Sequence, residues 1–171
     1  MISFTGLSAF PITPASPDGR VDPAALRALI APLVTAGVDS IGLLGSTGTY
    51  AYLSREERRR ALDAALDEAG GRVPIIVGIG ALRTDEAVAL AQDARAAGLL
   101  AAMSYTPLTD EEVFEHFCAV ATGSGLPICI YDNPGTTHFR FTPSLVGRLA
   151  QVPDIHALKS PAPDPSPVAG H

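Results

Sequence analysis

A single lysine stands among eleven arginines in this 171-residue chain, and it is the residue best suited to covalent chemistry. Lys159 closes the apolar run Ile155-His156-Ala157-Leu158-Lys159. Arginine cannot replace lysine as an amine nucleophile, because its guanidinium stays protonated. A lysine in an apolar setting loses its proton more easily, since desolvation disfavours the charged form. A neutral amine is what Schiff-base chemistry requires. The plain alternative is a lysine that snorkels at a strand end, and position and uniqueness do not choose between the two. Tyr131 closes the preceding apolar run, Ile128-Cys129-Ile130-Tyr131, and Asp132-Asn133-Pro134-Gly135 follows it. Beside an amine, a phenol could relay protons to and from a carbinolamine. Taken alone, Tyr131 is an aromatic plug on a rim.

Gly45-Ser46-Thr47-Gly48 follows another apolar run. Its glycines allow a tight turn whose successive N–H groups converge on an anion. Ser46 and Thr47 add two hydroxyl donors. Such a turn suits a carboxylate, a phosphate or simple chain reversal, and it lacks the lysine of a phosphate-binding loop. Gly78-Ile79-Gly80 needs nothing beyond close packing. His116, His138 and His156 show no metal-ligand spacing with cysteine or carboxylate, and all three are assigned structural roles. Glu56-Glu57, Asp85-Glu86 and Glu111-Glu112 fall in first turns of helical patterns, where they complement the helix dipole. They and Arg58-Arg59-Arg60 are expected on solvated faces.

The elements that would position these residues alternate. Strands are expected at 7–10, 40–44, 74–79, 99–103, 127–131 and 155–159, as short apolar runs without polar alternation. Strands buried on both faces of a parallel sheet look like this. Helices are expected between them. Asp22 caps one with Pro23 in its first turn, ending near Gly37, and Pro32 should kink it. Ser54-Arg55-Glu56-Glu57 has the layout of a capping box and leads a helix ending near Gly70. The remaining helices are expected at 84–97, 109–122 and 142–150, each opened by threonine. From the second strand on, units recur about every 25 to 35 residues, as βα units do. The fold class is therefore α/β with a parallel sheet, either open and doubly wound or part of a (β/α)8 barrel. Six strands and five helices make any barrel incomplete. Residues 1–159 form the expected partial-barrel domain; 160–171, with four prolines, form a ragged end.

The totals limit function. The chain is 47% hydrophobic and 18% charged, as globular proteins are. A net charge of −6 argues against nucleic acid as the main partner. No apolar run approaches the roughly 20 residues of a membrane helix, and the first residues do not have the pattern of a signal peptide. Cys118 and Cys129 make no disulfide framework and are expected to be small buried hydrophobes. The expected location is cytoplasmic.

Together these stretches resemble the dihydrodipicolinate synthase and N-acetylneuraminate lyase family from about Phe4 to Lys159. The pieces, in order, are Thr13-Pro14, Gly45-Ser46-Thr47-Gly48, Gly78-Ile79-Gly80, Tyr105, Tyr131-Asp132-Asn133-Pro134-Gly135 and Lys159. Each falls at the C-terminal end of an expected strand, where ligands bind in such folds. The resemblance implies a (β/α)8 TIM barrel with extra C-terminal helices. It implies a class I aldolase, lyase or dehydratase that uses no metal or organic cofactor and acts on pyruvate or a related 2-oxo acid with an aldehyde. By the same resemblance Lys159 forms the imine and Tyr131 shuttles protons. Ser46 and Thr47, in the turn made by Gly45 and Gly48, hold the carboxylate. Tyr105 matches a tyrosine that reaches the neighbouring subunit's site, which implies a homo-oligomer.

The chain departs from the family pattern at several positions. Thr49 stands where a glutamate is usual, and Thr136 where the synthases carry an arginine for their aldehyde's carboxylate. Met103-Ser104 replaces Pro-Tyr, and only six residues separate Gly98 from Tyr105, so the fourth unit is compressed. These differences argue against a true dihydrodipicolinate synthase and leave the acceptor open. Family members also continue past the lysine for two more strands and several helices, whereas this sequence ends twelve residues later. A fragment, a truncated reading frame and completion by a partner are the three explanations. Open strand edges and an open apolar inner face predict a chain that, alone, is poorly soluble or inactive. A non-catalytic remnant or interaction module is the alternative function.

Overall fold

The computed structural model describes residues 4–94, 97–100 and 107–161. Among the described residues there are six strands: β1 (Ser8–Ala9), β2 (Ser40–Leu43), β3 (Ile75–Gly78), β4 (Ala97–Leu100), β5 (Ile128–Tyr131) and β6 (Ile155–Lys159). All pair in parallel, and their spatial order β1-β2-β3-β4-β5-β6 is their order in sequence. A doubly wound sheet reverses its strand order at a switch point. Here there is no reversal, so successive right-handed crossovers put the helices on one face. The architecture is an incomplete (β/α)8 barrel.

The helices between them are α1 (Pro23–Ala36), α2 (Arg55–Ala69), α3 (Thr84–Ala94), α4 (Asp110–Ser124), α5 (Pro134–Thr137) and α6 (Pro143–Leu149). The Asp22 carboxylate accepts from the N–H groups of Ala24 and Ala25 at the start of α1. Gly37, left-handed at φ 69°, ends it, and the helix runs on through Pro32. Thr109 and Glu112 form a complete capping box at α4, worth on the order of 1 kcal/mol. At α2 only half of the expected box forms. Ser54 accepts from the Glu57 N–H, but the Glu57 carboxylate turns away to accept from the Val21 N–H at 2.8 Å. It thereby ties the loop after β1 to α2, and is not on a solvated face.

Two boundaries differ from expectation. α3 is described to Ala94, residues 95 and 96 lie outside the described residues, and Ala97, expected as the last residue of that helix, opens β4, which begins there rather than at Leu99. Residues 101–103 of the expected strand lie outside the described residues. The one-turn helix α5 and a 3₁₀ turn, Tyr50–Tyr52, are additional to the five expected helices.

The main core lies between the sheet and its helices. Ile41, Leu43, Ile75, Val77, Ile128 and Ile130 face Leu26, Ile30, Leu62, Phe117 and Leu145 there. The opposite, inner face carries a smaller cluster of Ile76, Cys129 and Tyr131, with Phe4, Phe10 and Ala157 against it. No helix among the described residues is long and apolar enough to cross a membrane.

Candidate active site

Lys159 reaches the inner face because of an irregularity in β6. Ile128 pairs with Ile155, but Cys129 pairs with Ala157, so His156 is an extra residue at a bulge. Side chains alternate along a strand, so one added residue reverses the facing of everything after it. Ile155 packs into the outer core, while Ala157 joins the inner cluster. Lys159 becomes the register partner of Tyr131. Its Nζ lies 4.2 Å from the Tyr131 ring centroid and 5.0 Å from that of Phe10. The Asp132 N–H donates to the Lys159 carbonyl at 2.9 Å, extending the pairing past the strand end.

The Tyr131 hydroxyl is held from two sides. It lies 2.8 Å from Ser46 Oγ, and either oxygen can donate. Asn133 Nδ2 donates to the same phenol at 2.8 Å and to Thr136 Oγ1 at 2.9 Å. The structure thus brings Ser46, Tyr131 and Lys159 into one cluster at the C-terminal ends of β2, β5 and β6. Thr47 is exposed at the same turn. Beside Lys159 a cleft of about 250 Å³ opens, lined by Phe4, Phe10, Ile76 and Cys129 among others. Burial pushes the Cys129 thiol up to about 11, so it stays protonated at neutral pH.

The glycines of the turn work differently from expectation. Gly45 and Gly48 are not left-handed; the positive φ angles belong to the flanking Leu44 (55°) and Thr49 (52°). The glycines instead allow close approach. A Cβ on Gly45 would meet the Phe10 ring at 3.2 Å, and one on Gly48 would meet Thr13 Oγ1 at 3.0 Å. Gly78 is needed more strongly, since its Cβ would fall 1.7 Å from the Leu44 carbonyl oxygen. The turn after β2 therefore rests directly on the end of β3.

Tyr105, Met103 and Ser104 lie outside the described residues. His116 is half-buried between α3 and α4, with Nδ1 2.9 Å from Thr84 Oγ1, while His138 and His156 are exposed. No group of three or more His, Cys, Asp or Glu among the described residues could hold a metal ion. Cys118 is only half-buried, unlike Cys129. Arg58, expected on a solvated face with Arg59 and Arg60, is drawn in: its Nε donates to the Leu53 carbonyl and its Nη1 to that of Gly80. Sequence reasoning also assigned nothing to Phe10 or Asn133. Asn133 stands two residues after the tyrosine, and that spacing was the available signal.

Residues 3–167 match the model of the dihydrodipicolinate synthetase family. A 4-hydroxy-tetrahydrodipicolinate synthase of Methylococcus capsulatus is 40% identical over 151 residues, which are 86% of this chain and 52% of that protein. The crystal structure of dihydrodipicolinate synthase from Agrobacterium tumefaciens superposes with a TM-score of 0.94 at 58% identity, covering 98% of this chain and 58% of that one. The synthase of Acinetobacter baumannii, solved in complex with pyruvate, superposes with a TM-score of 0.86 at 33% identity, over 92% of this chain and 55% of that one. The chain thus spans little more than half the length of these relatives. On this match the chain belongs to the dihydrodipicolinate synthetase family.

Proposed function

We propose that this chain carries the Schiff-base half of a pyruvate-dependent aldolase or lyase. The observation that carries the reading is the cluster of amine, phenol and hydroxyl at neighbouring strand ends: Lys159 against Tyr131, and Tyr131 bonded to Ser46. The Lys159 amine attacks the 2-oxo carbon of pyruvate, and loss of water from the carbinolamine leaves a protonated imine. Tyr131 passes the protons, and Ser46 fixes its hydroxyl. Loss of a methyl proton gives an enamine, which attacks an aldehyde carbon and forms the C–C bond; hydrolysis of the new imine frees product and amine. The reverse sequence cleaves a 4-hydroxy-2-oxo acid. Ser46 and Thr47, in the Gly45–Gly48 turn, hold the carboxylate. Positioned acid–base groups of this kind contribute roughly 10²- to 10⁴-fold. Tyr105 belongs to the same reading as the residue shared between copies of a homo-oligomer, acting on small molecules in the cytoplasm. Residues 1–159 are its partial-barrel domain, and 160–171 its proline-rich end, of which 162–171 lie outside the described residues.

Purified chain incubated with pyruvate and then borohydride should gain a lasting mass on Lys159, and Lys159→Arg should gain none. Absence of the adduct would leave the second reading, a non-catalytic module. One observation favours that alternative: β1 and β6 are sheet edges among the described residues, and Lys159 on β6 is only half-buried. A face so open offers little to exclude water from an imine.

A further inference from the structure

Arg58 is the one member of the Arg58-Arg59-Arg60 run without a carboxylate in ion-pair range among the described residues. Arg59 pairs with Asp63 and Asp93, Arg60 with Glu57, and Arg55 one turn earlier with Asp93. Arg58 instead spends its donors on two carbonyls, Leu53 at 3.2 Å and Gly80 at 3.0 Å. The first closes the 3₁₀ turn that follows Gly48; the second belongs to the loop after β3. One guanidinium therefore clamps together the two loops on which Ser46 depends. Its carbon also sits 5.1 Å above the centroid of the Tyr50 ring, which is 5% exposed. Such a cation keeps its full charge, and a partly desolvated charge acts over a longer range than one in water.

We propose that Arg58, together with Tyr50 beneath it, is a positioning residue for the Ser46–Tyr131 pair, fixing the turn that carries Ser46. The inference rests on the Schiff-base reading for its function but not for its geometry. The electrostatics agree. Burial is the main influence on Tyr50 and pushes its phenol up, Arg58 pulls it down, and Tyr131 raises it, so the three groups share one field. The other charged groups facing this set are Glu86 of α3, which acts on Arg58, and Lys159 of β6, which lies on the Tyr131 ring.

Two substitutions separate charge from shape. Arg58→Gln keeps an amide donor for one carbonyl but removes the charge. Arg58→Lys keeps the charge but cannot span both carbonyls. Ionisation of Tyr50, followed by ultraviolet difference absorbance of the whole chain as the step lost in Tyr50→Phe, should move to higher pH in Arg58→Gln, because the cation no longer pulls it down, and Arg58→Lys should restore it. Exchange of pyruvate methyl protons in D₂O should slow several-fold in both Arg58→Gln and Arg58→Lys, since neither spans both carbonyls, and Arg58→Gln should add little once Tyr131→Phe is present. Exchange at the parent rate in Arg58→Gln, or a slowing of the same size with and without the Tyr131 hydroxyl, overturns the proposal. Loss of the pyruvate adduct from the unsubstituted chain, with the Tyr50 shift intact, would instead sink the Schiff-base reading and leave the contact between Arg58 and Tyr50 standing.

Discussion

The outer face of the sheet and its inner face are packed to different degrees. Outside, Ile41, Leu43, Ile75, Val77, Ile128 and Ile130 are buried beneath helices that bring their own leucines, alanines and Phe117. Inside, among the described residues, Ile76, Cys129 and Tyr131 are buried as a smaller cluster, and a cleft of about 250 Å³ lies beside them. The outer layer is a packed interior whose removal costs stability. The inner layer is thin, partly polar, and spaced by glycines where others would place side chains. On the proposed reading, folding energy and chemistry are carried by opposite sides of the same strands, and substitutions on the two sides should fail in different ways.

The largest separation is expected from deleting Leu158. With one residue fewer after the bulge, Lys159 falls opposite Ile130 and turns to the outer face. The pyruvate adduct should fall to background while urea unfolding changes by less than about 1.5 kcal/mol, since Leu158 is 45% exposed on an edge strand. An adduct that survives the deletion would show that strand register does not orient the amine. Phe117→Ala tests the other side. That ring is fully buried and packs edge-on against Phe141 at 5.6 Å, so its loss should cost about 3–5 kcal/mol. Adduct yield per folded molecule should stay near that of the parent. A yield that drops in step with stability would mean the two faces are not separable.

Gly78→Ala should fall between these extremes. Its Cβ cannot share space with the Leu44 carbonyl, so either β3 or the turn carrying Ser46 must move. Overpacking of this kind costs about 1–3 kcal/mol. The Ser46–Tyr131 bond should lengthen with it, so adduct formation should slow by more than stability alone explains. Equal losses in both would place the strain in the shell rather than the turn.

Most of the shell was legible in the sequence, and the reason is physical. Short unbroken apolar runs have few folds open to them when threonine, serine and aspartate caps alternate with them. Asp22, Ser54, Thr109 and Thr142 all cap where a helix was expected. β4 was placed two residues late because Ala97 and Gly98 carry no strand signal of their own. The site was legible only in part. Lys159 shares its parity with Ile155, which faces outward, so simple alternation would have aimed the amine away from Tyr131. A bulge leaves no mark in composition. Arg58 was lost in a run of three arginines for a similar reason: helical periodicity gives the direction of a side chain, but a carbonyl from another loop decides whether the charge is drawn in. Leu44 and Thr49 adopt the left-handed angles that the neighbouring glycines were expected to supply. There the close approach of Phe10, Thr13 and Leu44 sets the requirement, and that approach is visible only once the strands are paired.

The smallest expected effect concerns acid. His116 sits in the shell between α3 and α4, with Nδ1 on Thr84 Oγ1 and a buried Nε2 that has no partner among the described residues. Burial lowers its proton affinity in the folded chain, so the imidazole is held neutral there. The unfolded chain binds that proton more readily, so stability is full above the ordinary histidine range of about 6.5 and is lost as pH falls below it. Urea unfolding at pH 8 and at pH 5.5 should therefore show a drop for the parent chain that is smaller in His116→Gln. The adduct-forming cluster contains no histidine, so the pyruvate adduct per folded molecule should show no such His116-dependent change over the same interval. If the acid loss is the same with and without His116, the half-buried imidazole is not its source.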